Sequence, residues 1–211
     1  MANFEDLTEA IVEGNEDKIK LLVLELLNAG STAKEIMDGG LIAGMNIVGD
    51  KMETEEMFIP EVLRSAKAMS GGVEILKPKL TEEENVASGI MILGTVQGDL
   101  HDIGKNLVRM LMEGAGFSVI DLGTDVAPEA FVDAIKEHNA DIVGMSALLT
   151  TTMPKMKETL EEMKKAGVRD QVKVLVGGAP VTEDYAKEIG ADGYGYDAGS
   201  AVRMAKEYVS N

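Results

Sequence analysis

Two different hydrophobic periods divide the chain. Up to about residue 75, apolar residues such as Leu7, Ala10 and Ile11 recur every three or four positions, which places them on one face of a helix. After residue 88, short apolar runs such as Ile90-Met91-Ile92-Leu93 alternate with helix-like stretches. An apolar run of this length, bounded by turn residues, is typical of a buried strand. The pattern therefore predicts a helical first region and an α/β second region.

The helical region is predicted to contain four helices. Gly30 follows the second apolar pattern, at a C-cap position where glycine is preferred. Thr32 and Glu35 form a capping box at the start of the third helix. Pro60 occupies a first-turn position in the fourth helix. Four helices joined by short breaks predict a four-helix bundle over residues 1–80.

Two glycine pairs interrupt these helices, Gly39-Gly40 in the third and Gly71-Gly72 in the fourth. Glycine lowers the stability of a helix by ~1 kcal/mol relative to alanine, so each pair needs a structural reason. Close packing and a kink would both supply that reason, and the sequence leaves the two open.

A short polar segment separates the two regions. Pro78 is followed by the acidic run Glu82-Glu83-Glu84. A proline followed by charged residues without apolar spacing is typical of a linker. Residues 81–88 are therefore predicted to join the bundle to a second domain, residues 89–211.

The second domain is predicted to alternate strands with helices. Its predicted strands are 89–95, 117–122, 141–147, 172–176 and 192–196. Its predicted helices are 102–114, 128–138, 153–166, 182–189 and 199–209. Five such β-α units predict a doubly wound, Rossmann-like parallel sheet with right-handed crossovers. The flavodoxin-like strand order 2-1-3-4-5 puts a ligand-binding crevice beside strands 1 and 3.

Composition restricts the chemistry of this fold. The 211 residues include no cysteine, so any metal must be held by nitrogen or oxygen. The net charge of −17 disfavours a nucleic-acid partner, since phosphates are neutralised by Lys and Arg. The apolar runs are too short to span a membrane. The first residues lack a signal peptide's basic start and apolar core, so a cytoplasmic location with no membrane partner is expected.

Three loops at the carboxyl ends of strands carry candidate ligand-binding residues. Because strands 1, 3 and 4 are neighbours in the expected order, their loops line one crevice. The residues concerned are Gly98, Asp99, Leu100, His101, Asp102, Ile103 and Gly104 after strand 1, Ser146, Leu148 and Thr150 after strand 3, and Gly177 and Gly178 after strand 4.

The residue types in these loops suit a metal complex. A neutral imidazole such as that of His101 can ligate a transition metal through one nitrogen. A carboxylate such as Asp99 can fix its tautomer through the other nitrogen, and the Ser146 hydroxyl could extend that relay. Gly177 and Gly178 let the backbone approach a bulky ligand. One histidine cannot hold a bare catalytic ion, but it suffices as the axial ligand of a metal held in a macrocycle.

The loop motifs resemble those of the cobalamin-binding domain family, which are Asp-x-His-x-x-Gly, Ser-x-Leu and Gly-Gly. The separations agree too, with 41 residues between Gly104 and Ser146 and 28 between Leu148 and Gly177. The helical region resembles the cap bundle of methionine synthase, and 57–63 is similar to its segment that places an aromatic residue over the corrin. Over nearly its whole length the chain resembles the small corrinoid proteins of methanogens and acetogens.

The resemblance implies a role for each candidate residue. His101 would be the lower axial ligand of cobalt, with Asp99 and Ser146 in its hydrogen-bonded relay. Phe58 would shield the upper, methyl-bearing face. The displaced nucleotide tail would run past Ser146, Leu148, Thr150, Gly177 and Gly178.

The same resemblance implies a methyl carrier that has no catalytic residues of its own. Cobalamin or a related corrinoid, in its methylcobalamin form, would cycle between Co(I) and methyl-Co(III). One partner would be a methyltransferase specific for a methylamine, a quaternary amine, methanol or a methoxylated aromatic donor. The other would be a methyltransferase acting on tetrahydrofolate or coenzyme M, and a reductive activation protein would be a third partner.

Three other functions match parts of the sequence. His101-Asp102 also resembles the signature of HD-type phosphohydrolases, but those need further histidines and only His138 is present. A cobalamin-binding sensor remains an alternative, although residues 1–80 offer no basic recognition helix. The small subunit of an adenosylcobalamin mutase is another alternative, although there a substrate barrel would stand in place of the bundle.

Overall fold

The computed structural model describes residues 2–80 and 88–210. All but Ser88 of the predicted linker 81–88 lies outside these described residues. The described residues form two compact units. One comprises the residues up to Leu80 together with Gly114–Gly116, and the other comprises Ser88–Glu113 and the chain from Phe117 onward.

The first unit is a bundle of helices. Asn3 caps its first helix by accepting a hydrogen bond from the Asp6 amide at 2.7 Å, and the Thr32–Glu35 capping box is present as expected. Its core includes the fully buried side chains of Leu7, Ile11 and Ile19. The helices are α1 (Phe4–Glu13), α2 (Glu16–Asn28), α3 (Ala33–Ile36), α4 (Ala43–Glu53) and α5 (Ile59–Leu76).

The predicted third helix contains an irregular centre. Between α3 and α4 the chain forms a π-helical segment, Met37–Ile42. This segment includes Gly40, where a Cβ atom would lie 2.4 Å from the Leu7 side chain of α1. The Gly39-Gly40 pair therefore combines close packing with an altered helix geometry. At Gly72 a Cβ atom would lie 2.9 Å from Ile19, while α5 runs unbroken, so the second pair marks close packing.

The second unit is a five-stranded parallel sheet in the order β2-β1-β3-β4-β5, as predicted. The strands are β1 (Ile90–Thr95), β2 (Ser118–Asp121), β3 (Ile142–Ser146), β4 (Lys173–Gly177) and β5 (Gly193–Gly195). The helices are α6 (Ile103–Gly114), α7 (Pro128–His138), α8 (Pro154–Lys165), α9 (Glu183–Ile189) and α10 (Ala198–Val209). The predicted α/β fold class is confirmed.

The core of this unit lies against the sheet. Ile92, Val143 and Val174, from three adjacent strands, cluster with buried residues of α7, α8 and α9. On the other face, a Cβ atom at Gly193 would lie 2.7 Å from Leu175 and 3.0 Å from Met204 of α10, so α10 packs there. Helices therefore cover both faces of the sheet. Because all five strands are parallel, their carboxyl ends lie at the same edge. Among the helices of the described residues, none combines the length and the apolar character needed to cross a membrane.

Candidate functional site

The loop between β1 and α6 presents His101 beside a buried carboxylate. The His101 Nδ1 atom lies 2.7 Å from Asp99 Oδ1, and the His101 amide donates to the same oxygen at 3.1 Å. The Asp99 side chain is 0% exposed, whereas that of His101 is 52% exposed. Since an ionised carboxylate only accepts hydrogen bonds, Nδ1 carries the proton. With the proton on Nδ1, a neutral imidazole has its lone pair on Nε2.

The second oxygen of Asp99 is held by the loop after β3. It accepts from the amides of Leu148 at 2.7 Å and Leu149 at 3.2 Å, and from the Thr152 hydroxyl at 2.8 Å. Burial by itself would raise the pKa of Asp99, but the hydrogen bonds from His101, Leu148 and Thr152 lower that pKa well below its usual value. The carboxylate is therefore a fixed negative charge behind the imidazole.

The hydroxyl that contacts Asp99 in the structure belongs to Thr152, whereas Ser146 was the residue expected to extend the relay. A turn after β3, closed by the bond from the Thr152 amide to the Leu149 carbonyl at 3.1 Å, brings Thr152 over Asp99. Ser146, at the end of β3, uses its carbonyl to accept from the Val96 amide at 3.0 Å. Among the described residues, none forms a hydrogen bond with the Ser146 hydroxyl.

The Gly177-Gly178 pair is required by the packing of the protein itself. Gly178 has a φ of +124°, and a Cβ atom there would lie 1.9 Å from the Ala147 carbonyl oxygen. At Gly177 a Cβ atom would lie 3.0 Å from the carbonyl oxygen of Gly195 on β5. These glycines let the ends of β3, β4 and β5 close against one another. Gly104 differs, because a Cβ atom there would meet nothing within 4 Å.

Apolar side chains surround His101 in the sequence and stay exposed. Leu100 is 74% exposed and Ile103 is 82% exposed, and Leu148 of the neighbouring loop is 42% exposed. Exposed apolar side chains gathered at one edge mark a surface that binds a partner or a ligand.

The remaining predicted residues occupy three different settings. Asp102 precedes α6, and its carboxylate accepts from the Asn106 side-chain amide at 2.9 Å, while its carbonyl accepts from the Asn106 backbone amide at 2.7 Å. Thr150 is exposed in the loop after β3. Phe58 belongs to the helical unit, where it precedes α5, is 65% exposed, and donates its amide hydrogen to Glu61 at 2.9 Å.

The sequence reasoning missed an ion pair between α6 and β2. Lys105 Nζ lies 2.6 Å from both carboxylate oxygens of Asp121, and the lysine side chain is only 2% exposed. Burial opposes ionisation of Asp121, but Lys105 and the Gly123 amide lower its pKa below the usual value. The sequence contains a signal for this pair, because Lys105 directly follows Gly104 and Asp121 ends the strand next to β1.

The backbone of the His101 loop is tied to β1 as well. The buried Thr95 hydroxyl donates to the His101 carbonyl at 2.9 Å, and the Thr95 amide donates to the Gly123 carbonyl at 3.0 Å. The loop after β2, which carries none of the predicted motifs, thus supports the loop that carries His101.

The donor set fits a metal that is already held by a macrocycle. Within residues 2–80 and 88–210, no group of three or more His, Asp, Glu or Cys side chains could hold a bare ion. A single oriented imidazole, exposed apolar side chains and the open space at Gly104 suit the axial nitrogen and the apolar edge of a corrinoid. His101 would hold the cobalt, and Leu100, Ile103 and Leu148 would contact the ring.

Comparison with known proteins agrees with this geometry. A family model described as a B12 binding domain matches residues 89–203, and a second B12 binding domain model matches residues 4–77. The chain is 43% identical over 210 residues to a corrinoid protein of Desulfitobacterium hafniense, covering 98% of this chain and 97% of that protein.

Two further relatives belong to Methanosarcina barkeri. The trimethylamine corrinoid protein is 42% identical over 212 residues, and 98% of each chain is covered. A chain in the crystal structure of the methanol:cobalamin methyltransferase complex superposes with a TM-score of 0.87 at 30% identity, covering 98% of this chain and 79% of that chain. Because the family models and these relatives extend over nearly the whole chain, the protein belongs to the family of B12-binding corrinoid proteins, and its cofactor is a corrinoid.

Proposed function

We propose that this protein carries a methyl group on the cobalt of its corrinoid, with His101 as the lower axial ligand. When bound, the corrinoid supplies a metal that accepts and gives up the methyl group. The observation that carries the proposal is the His101–Asp99 contact of 2.7 Å, which leaves one imidazole nitrogen for a metal. Asp99 stays ionised behind that imidazole and keeps it in the ligating tautomer.

The other loops provide the remaining contacts of the proposed site. Gly104 leaves room for the ring beside His101, while Gly98 and Asp102 shape the two ends of the ligating loop. The nucleotide tail would lie along the loops after β3 and β4. The contacts proposed for this tail come from Ser146, Leu148, Thr150, Gly177 and Gly178. In the helical unit, the exposed ring of Phe58 is proposed to shield the upper face of the corrinoid.

The methyl donor is proposed from a small class. The names of the relatives point to trimethylamine at 42% identity and to methanol at 30% identity. We therefore propose a donor among methylamines, quaternary amines, methanol and methoxylated aromatics, with tetrahydrofolate or coenzyme M as the final acceptor. The described residues include no group of three or more metal-ligating side chains that could activate a methyl donor. Donor and acceptor activation are therefore assigned to separate methyltransferases, and reduction to an activation protein.

Reconstitution tests the ligation. The apoprotein with hydroxocobalamin should give a coloured 1:1 complex, and its Co(II) form should show electron paramagnetic resonance splitting from one imidazole nitrogen. His101→Ala should remove this splitting and keep part of the bound corrinoid. His138→Ala, at the last residue of α7, is the matched control and should leave the spectrum unchanged. Bound corrinoid without nitrogen splitting in the wild-type protein would disprove His101 ligation.

Turnover assays test the carrier role. The holoprotein alone should not demethylate any of the proposed donors. Turnover should require both a donor methyltransferase and an acceptor methyltransferase. Demethylation of a donor by the isolated holoprotein would overturn the assignment as a carrier.

A further inference from the structure

Asp125 has an unusual backbone conformation next to the proposed ligand loop. It lies between β2 and α7 with a φ of +55°, and its side chain is exposed. Left-handed φ values are uncommon for residues other than glycine, although Asp and Asn tolerate them best. A residue held in this region indicates that the contacts around it fix the conformation.

Asp125 forms hydrogen bonds with the residues that precede His101. The Gly98 amide donates to Asp125 Oδ1 at 2.7 Å, and the Asp125 amide donates to the Asp99 carbonyl at 3.0 Å. The next residue, Val126, donates its amide hydrogen to the Thr95 carbonyl at 3.0 Å. Asp125 therefore binds the Gly98-Asp99 dipeptide at both its ends.

The orientation of His101 depends on that dipeptide. Gly98 adopts a φ of +84°, and the Asp99 side chain that follows must meet donors from two loops at once. The position of the Asp99 backbone therefore determines whether the Asp99 carboxylate can contact His101 Nδ1. The short bond from Gly98 to a carboxylate is of the charge-assisted kind, which is stronger than a neutral hydrogen bond.

We propose that Asp125 is a positioning residue for His101: its carboxylate fixes the Gly98-Asp99 backbone, which aims Asp99 at the imidazole and keeps the imidazole on the metal. This inference rests on the proposed function, because it takes His101 to be the cobalt ligand. It assigns a role to the loop after β2, which carries none of the three family motifs.

Two substitutions of Asp125 distinguish the effect of its side-chain acceptor from the effect of its backbone conformation. Asp125→Asn keeps an oxygen acceptor and tolerates the left-handed φ, whereas Asp125→Gly keeps the φ and removes the acceptor. Each protein is reconstituted with hydroxocobalamin, and the His-ligated fraction is measured from the nitrogen splitting of the Co(II) spectrum. Hydrogen exchange at the Gly98 amide is measured in the same holoproteins.

We expect Asp125→Asn to lie between the wild type and Asp125→Gly in both measurements, because a neutral amide oxygen accepts a weaker hydrogen bond than a carboxylate. Asp125→Gly should raise the ratio of His-free to His-ligated cobalt by about tenfold, and should speed exchange at Gly98 by a similar factor, as for a lost charge-assisted hydrogen bond. Equal splitting in the wild type and both variants would overturn the role of Asp125. So would an equal loss in both variants, since Asn retains the acceptor. Absence of splitting in the wild type would instead refute His101 ligation itself.

Discussion

The Thr152 hydroxyl donates to Asp99 Oδ2 at 2.8 Å across 53 residues of sequence. It also lies 2.9 Å from the Leu149 carbonyl, so its single proton serves two acceptors. This contact extends the His101–Asp99 pair into a three-residue relay. The relay continues into the loop after β3 through a residue outside the family motif.

Replacing Thr152 should therefore weaken the relay more than replacing Ser146. Thr152→Val removes the hydroxyl at nearly constant volume and should lower the free energy of unfolding by about 1–3 kcal/mol, as for a buried hydrogen bond to a charged group. Ser146→Ala is the matched control, because its hydroxyl donates to no described residue, and we expect a change below about 0.5 kcal/mol. Urea unfolding of the apoproteins measures both. A larger effect for Ser146→Ala would contradict the Thr152 relay.

The free energy of unfolding should fall in acid because Asp99 becomes protonated. Its pKa is lower in the folded protein than in the unfolded chain, so the unfolded state binds the proton more tightly. The contribution of Asp99 to stability is complete above about pH 5 and is lost progressively as the pH falls below about 4, toward the folded-state pKa. The measurement is urea unfolding of the apoprotein between pH 3 and pH 7. Asp99→Asn should flatten the acid side of this profile, and an unchanged slope would contradict the assignment.

The Lys105–Asp121 pair should show strong energetic coupling. Lys105→Met leaves the Asp121 carboxylate with the Gly123 amide at 2.9 Å and Arg109 at 3.9 Å, and should destabilise the protein by about 3 kcal/mol, the lower end of the cost of breaking a buried ion pair. The double variant Lys105→Met/Asp121→Leu should be more stable than the sum of the two single losses implies, by at least about 1 kcal/mol. Urea unfolding of the four proteins gives the coupling energy. Additive losses would mean that the two residues act independently.

Replacing Gly104 or Gly178 with alanine should distinguish a glycine needed for cofactor binding from one needed for folding. Gly104→Ala places its methyl group in open space within α6, so we expect the apoprotein to be unchanged or stabilised by up to about 1 kcal/mol. The same methyl group would obstruct the proposed ring position, so corrinoid affinity should fall by at least about tenfold. Gly178→Ala would meet the Ala147 carbonyl and should destabilise the apoprotein itself. Thermal unfolding and corrinoid titration measure the two effects, and unaltered affinity in Gly104→Ala would argue against the proposed ring position.

Hydrophobic periodicity was sufficient to predict most of the fold. The short apolar runs, such as Ile90–Leu93, and the helices between them led to the observed strand order, because parallel β-α units have few permitted topologies. The π-helical segment at Met37–Ile42 was not predicted. It depends on how closely Gly40 approaches Leu7 of another helix, and a periodic pattern contains no such information.

The motifs predicted the residues at the centre of the site but not the residues that hold them in place by hydrogen bonds. Asp99 and His101 are two residues apart, so their contact follows from local geometry. Thr152 and Asp125 reach the same loop from positions far along the chain, and neither belongs to a motif. Their contacts depend on turns after β3 and β2 whose shape is set by tertiary packing. Ser146 was chosen for its hydroxyl, and the turn beyond it brought a different hydroxyl to Asp99.

The Asp99 carboxylate accepts five hydrogen bonds, from His101, Leu148, Leu149 and Thr152. Corrinoid binding therefore requires that these residues are already folded together. A chain in which β3 has not yet joined β1 lacks the buried carboxylate and the oriented imidazole. Such a chain should have little affinity for a corrinoid, so the cofactor discriminates between native and partly folded molecules. By mass action, each tenfold excess of corrinoid over its dissociation constant then adds about 1.4 kcal/mol to the stability of the native protein.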